Sequence, residues 1–318
     1  MINKIATINN NPEDGFDART FLYIRTHSSD NGNVPLPPSL PFWISPDINI
    51  ISNLTDPGVA IMGVPNTIEI IVTNAGGIQA NDAFVDCFIA NPTTAFTPLN
   101  ATFIGQTFVD IPSYQTKNIL FNWIPTMQGH FCLLARVSLI IPSDTYTNSQ
   151  IFDVPGDRHI AMRNLHIISM TGKKQLFGFT MANPLKEDKE FEFTTRIEDA
   201  NSTEIKSIKS MYKQQIEFSK ELKVNTNLYV GTNSNQNTSK VKTFGLLEKV
   251  PISKGLDLKI IEKNQGINIG KGLVLYANIE IDRSNVQNKS EYSLISIIQQ
   301  EKKSKRIVGG LMVMVNGG

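Results

Sequence analysis

From residue 43 onward the chain breaks into short runs of alternating apolar and polar residues, separated by clusters of Gly, Pro, Asn and Asp, and this rhythm restricts the fold more than any other feature. "DINII", "NTIEIIVTNAG", "DAFVDCFIANP", "TFIGQTFVDIP", "TKNILFNWIPT", "GHFCLLARVSLI" and "HIAMRNLHIISM" follow one another at near-regular spacing. A period of two turns one face of each run toward a core, and the turn residues between runs reverse the chain. No segment of helical length and period interrupts them. The pattern therefore predicts antiparallel sheets stacked as a sandwich of the immunoglobulin kind, not a parallel sheet fed by crossover helices. Composition points the same way, with 41% apolar and only 19% charged residues and an abundance of Ile, Thr, Asn and Ser, which favours strands and turns.

The second half begins near Gly172. "QLFGFTMANP" and "KEFEFTTRIED" read as strands, the latter with Phe191, Phe193 and Thr195 on one side. "NSTEIKSIKSMYKQQIEFSKEL" then predicts the one convincing helix, near 202–222. Asn201 can cap it with Glu204 three residues later, and Ile205, Ile208, Tyr212 and Ile216 share a face. A polar loop within "NLYVGTNSNQNTSKVKTFG" reads as an exposed tip. "GLDLKIIEKN", "GLVLYANIEID", "SEYSLISIIQQ" and "RIVGGLMVMVNGG" supply further strands, the last two as a hairpin with a basic tip at Glu301 to Arg306. A chain of 318 residues is long enough for two domains with proper cores. The expected fold is all-β, with two immunoglobulin-like β-sandwich domains in tandem, the second with one inserted α-helix. Residues 1–42 form an N-terminal arm and lead-in strand, 43–171 the first sandwich and 172–318 the second. The polar start, up to about residue 20, reads as an arm able to dock on a partner.

The runs "SPDINI", "GVPNTIEIIVTNAG" at Gly63 to Gly76, "FNWIP" at Phe121 to Pro125 and "GHFCLLARV" at Gly129 to Val137 together resemble the bacterial CARDB-like, cell-adhesion-related modules of immunoglobulin fold. The resemblance covers residues 43 to 170 and implies an adhesive or assembling role. It departs from those modules at "DVPGDRHIAMRN", which replaces their acidic, asparagine-rich close. The lead-in "SLPFWISPDINI" suits such a module physically. Pro41 and Pro46 hold the chain extended, Trp43 is available to cover an open end of the sandwich, and Asp47 can bond local backbone in a turn.

Residues able to do chemistry are sparse and ungrouped. Cys87 and Cys132 are too few for a disulfide framework and read as small hydrophobes, with a bridge open only if their strands are neighbours. His27, His130, His159 and His166 show no metal-ligand spacing. Asp157 lies two residues before His159 and could orient it toward a serine elsewhere, but no nucleophile-elbow motif accompanies the pair, and an enzyme is not expected. Asp144, Asp153 and Asp157 are calcium candidates by chemistry, yet their spacing fits no calcium loop, and solvated loop carboxylates are the plainer reading. Gly76-Gly77 and Gly309-Gly310 lack the following Lys-Ser/Thr of a phosphate cradle and read as turn or bulge glycines. Tyr23, Phe42, Trp43, Tyr114 and Tyr146 could form a sugar-stacking surface. The interaction candidates are Trp43, Tyr114, Tyr146 and the basic run Lys302, Lys303, Lys305 and Arg306.

A net charge of +1 gives no general attraction to nucleic acid or to an anionic membrane. Its distribution is uneven. Through Met170 there are 7 Lys+Arg against 13 Asp+Glu (−6), and beyond it 23 against 16 (+7). An acidic front of one copy could meet the basic back of the next in a head-to-tail contact. The N-terminal residues lack a secretory apolar core and no run of 18 or more apolar residues exists, so no membrane insertion is expected. The protein is expected either in the cytoplasm or exported by a route not encoded at its start. The expected function is that of a non-catalytic structural or adhesion protein acting through protein–protein contacts, other copies of itself included, without a cofactor. The alternative is a carbohydrate- or calcium-binding accessory module of a larger secreted system.

Overall fold

The computed structural model describes residues 18–37, 40–51, 60–126, 131–170, 173–211, 216–218, 225–232, 257–260, 266–283 and 291–317. The expected arm up to residue 17, Tyr212, His130 and the polar loop after residue 232 lie outside them.

The N-terminal region contributes β1 (Leu22–Tyr23), β2 (Ile48–Ile51), β3 (Asn66–Asn74), β4 (Ala80–Ala90), β5 (Thr102–Ile111), β6 (Gln115–Trp123), β7 (Cys132–Ser138) and β8 (Ile160–Arg163). They form two antiparallel sheets. In one, β3 is flanked by β1 and β2 on one edge and by β6 on the other; the second runs β5-β4-β7-β8. Alternation explains the stacking: Ile68, Ile70 and Val72 from one sheet share a buried cluster with Val85, Ala135 and Val137 from the other. This is the sandwich expected from the period-two runs.

The C-terminal region contributes β9 (Leu165–Met170), β10 (Lys174–Ala182), β11 (Lys189–Ile197), helix α1 (Thr203–Met211), β12 (Asn225–Thr232), β13 (Asp257–Ile260), β14 (Gly266–Ile269), β15 (Val274–Asp282), β16 (Ser293–Glu301) and β17 (Ile307–Gly317). Its sheets run β10-β15-β12-β13 and β14-β11-β16-β17-β9. Phe179, Met181 and Ile279 from the first share a buried cluster with Phe191, Ile295 and Ile297 from the second.

Two expectations change. "HIAMRNLHIISM" is not one strand: Ile160–Arg163 pair with β7, whereas Leu165–Met170 pair in parallel with β17, so the pairing partner switches at Asn164. Both halves alternate correctly, and only the distant partner distinguishes them. The helix is shorter than 202–222. Its described part runs Thr203–Met211, and by Phe218 the chain has left helical geometry for a β-bridge with Tyr292. Its cap is Ser202, whose Oγ accepts from the Ile205 N–H at 3.2 Å, while the Asn201 N–H donates to Asp199 in the preceding turn. Glu204 pairs with Arg196 at 2.5 Å.

Candidate interaction site

The β5-β4-β7-β8 sheet sends alternate side chains away from its own sandwich. On β7 and β8 these are Cys132, Leu134, Ile160 and Met162, and all join the buried cluster of the C-terminal sheets. Trp43 lies in that cluster at 2% exposure. It does not cap an open end. The face of its indole occupies the space where a Cβ on Gly310 would stand, and the Thr94 carbonyl fills the corresponding space beside Gly309. These glycines are thus required by close approach within a strand. Polar bonds complete the junction. Asn164 donates from Nδ2 to the carbonyls of Thr93 and Gly310 at 3.1 and 3.0 Å, and Thr94 Oγ1 donates to Gln299 Oε1 at 2.5 Å. The Thr94 N–H donates to the Thr180 carbonyl at 2.9 Å.

Among the described residues no strand pairs with the outer edge of β5 in the same sheet. Cross-strand register places Phe108 opposite Phe84 and Phe103 opposite Phe88, with ring centroids 6.3 and 5.4 Å apart. Phe108 is 65% and Phe103 54% exposed. Of the ten β5 residues only Asp110 is charged, and none is Lys, Arg or Pro, the residues that commonly blunt a free edge. A register shift between Cys87 and Phe88 interrupts the ladder opposite Ile104. Asp82 and Asp110 are exposed near the C-terminal end of β5. The sequence reading missed Phe103 and Phe108, because alternation sends residues five apart to opposite faces and only the register shift at Ile104 brings both rings onto one row.

The other expected site residues are dispersed. Tyr114 is 63% exposed with φ +58° at the turn between β5 and β6. Tyr146 is half-buried beside Arg136, whose guanidinium lies 4.4 Å from its ring centroid and 4.9 Å from that of Phe88, and pairs with Asp86 at 2.8 Å. Tyr23 and Phe42 are buried, so they offer no sugar-stacking face. The basic hairpin tip is partly engaged: Lys302 with Glu190 at 2.9 Å, Lys305 with Glu192 at 2.6 Å, and Arg306 with Asp153, while Lys303 is exposed. Arg306–Asp153 joins the two regions, so part of the front-to-back charge complementarity is satisfied within one molecule.

The calcium candidates do not converge on a cation. Asp153 faces Arg306, and Asp144 and Asp157 are buried on either side of His159, their oxygens accepting from Nε2 at 2.9 Å and Nδ1 at 2.8 Å. Among the described residues no group of three or more His, Cys, Asp or Glu side chains is arranged to hold a metal ion. Burial works against a charged His159 and Arg158 adds to that, but the bonds to the two carboxylates outweigh both and hold its pKa above the ordinary histidine value. Burial likewise opposes ionisation of Asp144 and Asp157, yet their bonds to His159 hold both below the ordinary carboxylate value. With both ring nitrogens engaged, His159 has no free lone pair to activate a serine.

The cysteines are free. Cys87 stands opposite Ala135 and Cys132 opposite Ala90, an odd offset along the ladder that sends them to opposite faces and forbids a bridge. Cys132 Sγ lies 3.4 Å from His166 Nε2. Complete burial pushes the thiol well up, away from thiolate. Asp47 binds more than local backbone: it accepts from Arg25 Nη2 at 2.5 Å, and Ser45 Oγ donates to the Arg25 carbonyl at 2.5 Å. Ser-Pro-Asp is thus a two-pronged grip on Arg25, just beyond β1.

No protein-family model and no curated protein matches the chain. Solved structures similar to it include the CARDB domain of a Pyrococcus furiosus protein in complex with di-metal ions, at 20% identity over 32% of this chain and 76% of that one, with a TM-score of 0.23. The CfaE adhesin of enterotoxigenic E. coli, in a mutant form, is similar at 8% identity over 96% of this chain and 95% of that one, with a TM-score of 0.23. Red sea bream transglutaminase is similar at 9% identity over 85% of this chain and 31% of that one, with a TM-score of 0.20. The CARDB-like resemblance read in the sequence has its counterpart among these structures.

Proposed function

We propose that the chain works by binding protein through the open β5 edge and its aromatic row, and that the partner is a second copy of the chain. The observation that carries this reading is a ten-residue edge strand with Phe103 and Phe108 more than half exposed and no lysine or proline to blunt it. Edge strands of this kind accept a further strand by main-chain hydrogen bonds, with the aromatic side chains adding specificity. The occupant follows from charge. Asp82 and Asp110 stand at the acidic N-terminal region's open edge, and the residues beyond Met170 carry +7, so the basic region of one copy complements the edge of another in a heterologous contact. A binding role also fits the engagement of His159 by two carboxylates and the burial of Cys132.

Light scattering coupled to size exclusion tests this over a concentration and salt series. The wild-type chain should form assemblies that shrink as salt rises, since the screening length falls from about 10 Å at 0.1 M to about 3 Å at 1 M. Phe108→Asp should leave a folded monomer. A wild-type monomer at every concentration and salt overturns self-association and redirects the search to a foreign protein.

A further inference from the structure

β1 is only two residues long and pairs with β3 at Asn74 and Thr73. Its other side is held by the segment between β7 and β8. The Leu22 N–H donates to Asp144 Oδ2 at 2.6 Å, and Arg158 Nε donates to the Leu22 carbonyl at 3.2 Å. Arg158 also pairs with Asp144 at 2.5 Å and lies over the Phe21 ring at 4.3 Å. The Ile24 N–H donates to the Arg158 carbonyl at 3.2 Å. Every one of these contacts passes through Asp144 or its partner Arg158, and Asp144 is braced from behind by His159.

An imidazole that bonds two carboxylates at once must carry both N–H donors, which requires its charged form; the neutral ring has one donor and one lone pair. On neutralisation, that lone pair faces a carboxylate oxygen at under 3 Å in a site where His159, Asp144 and Asp157 are each no more than 5% exposed. We infer that a proton on His159 latches the N-terminal strand to the sandwich, and that its loss frees Leu22 to Ile24 from the segment between Asp144 and His159. Release would uncover the β3 edge at Thr73–Asn74. The charged groups around the ring among the described residues are Asp144, Asp157 and Arg158; from the β1 side it meets the uncharged Leu22 backbone and Phe21 ring through them. Asp157 is held apart from β1, accepting from the Thr147 N–H at 2.7 Å, so the strand responds through Asp144. The latch does not depend on self-association.

The sign follows from the directions of titration. His159 is raised in the folded chain, so its contribution is complete below about pH 6.5, the unfolded value, and fades as pH rises through the folded value. Asp144 and Asp157 are lowered, so theirs is complete above about pH 4 and fades only in stronger acid. The latch is closed in the window between.

Site-resolved hydrogen exchange of the Leu22 and Ile24 amides, corrected for intrinsic rates between about pH 5.5 and 9, is the test, read beside the imidazole titration by NMR. Protection should fall roughly tenfold or more in step with loss of the His159 proton. In His159→Gln, protection should be low and independent of pH. Protection that stays constant while His159 titrates, or that falls equally in His159→Gln, overturns the inference. Should His159→Gln fail to fold, the wild-type chain decides alone, since a fall that does not track the imidazole is equally fatal.

Discussion

The outer face of the β5-β4-β7-β8 sheet has two halves built from similar residues, one covered by the C-terminal sheets and one exposed and proposed to bind. On β7 and β8, Leu134 and Met162 are buried beneath the C-terminal sheets, with Trp43 filling the seam. On β5, Phe103 and Phe108 face solvent. The apolar content does not distinguish the halves; cover does. A sheet can be core along one edge and interface along the other, and only the placement of a distant segment assigns which is which.

Substitutions on each half should separate these uses, and the largest effect is expected at the seam. Trp43→Ala should lower unfolding free energy by about 3–5 kcal/mol, the usual range for truncating a buried large aromatic, and urea unfolding will measure it. Gly310→Ala adds a methyl where the indole already stands and should cost about 1–3 kcal/mol as overpacking; pairing it with Trp43→Ala should recover much of that loss, because the two share one space. On the open half, Phe108→Asp should change stability by under about 1 kcal/mol while abolishing the proposed self-association, which light scattering will check. A large loss of stability there would mean that β5 is covered as β7 is. The smallest effect is expected at Arg306→Ala, which removes a partly exposed ion pair across the junction and should cost no more than about 1 kcal/mol, less in high salt.

Much of this architecture is legible in the residues because strand period and turn chemistry are local. The hairpin of β16 and β17 follows from its two alternating runs and basic tip, and the opposed faces of Cys132 and Leu133 follow from alternation alone. The helix was legible at its start and not at its end. Ser202 caps it, but the apolar spacing continues to Ile216 although Phe218 already bridges to Tyr292, so tertiary pairing prevailed over periodicity. The interaction candidates were the least legible. Trp43 reads as a cap and is buried, while the exposed Phe103 and Phe108 were not among the candidates. Of the aspartates weighed for calcium, Asp157 was legible as a partner of His159 two residues away, whereas Asp144, fifteen residues away, braces it only because the loop folds back.

By itself the sequence determined the all-β class, the extent of most strands and the turns between them, because each depends on neighbours within a few residues. Only the tertiary structure decided that Asn164 divides one alternating run between two sheets, that Gly309 and Gly310 exist for Thr94 and Trp43, and that one face of a sheet is half covered. Those outcomes depend on contacts between residues far apart in the chain, where packing and charge pairing act on shapes that the local pattern does not encode.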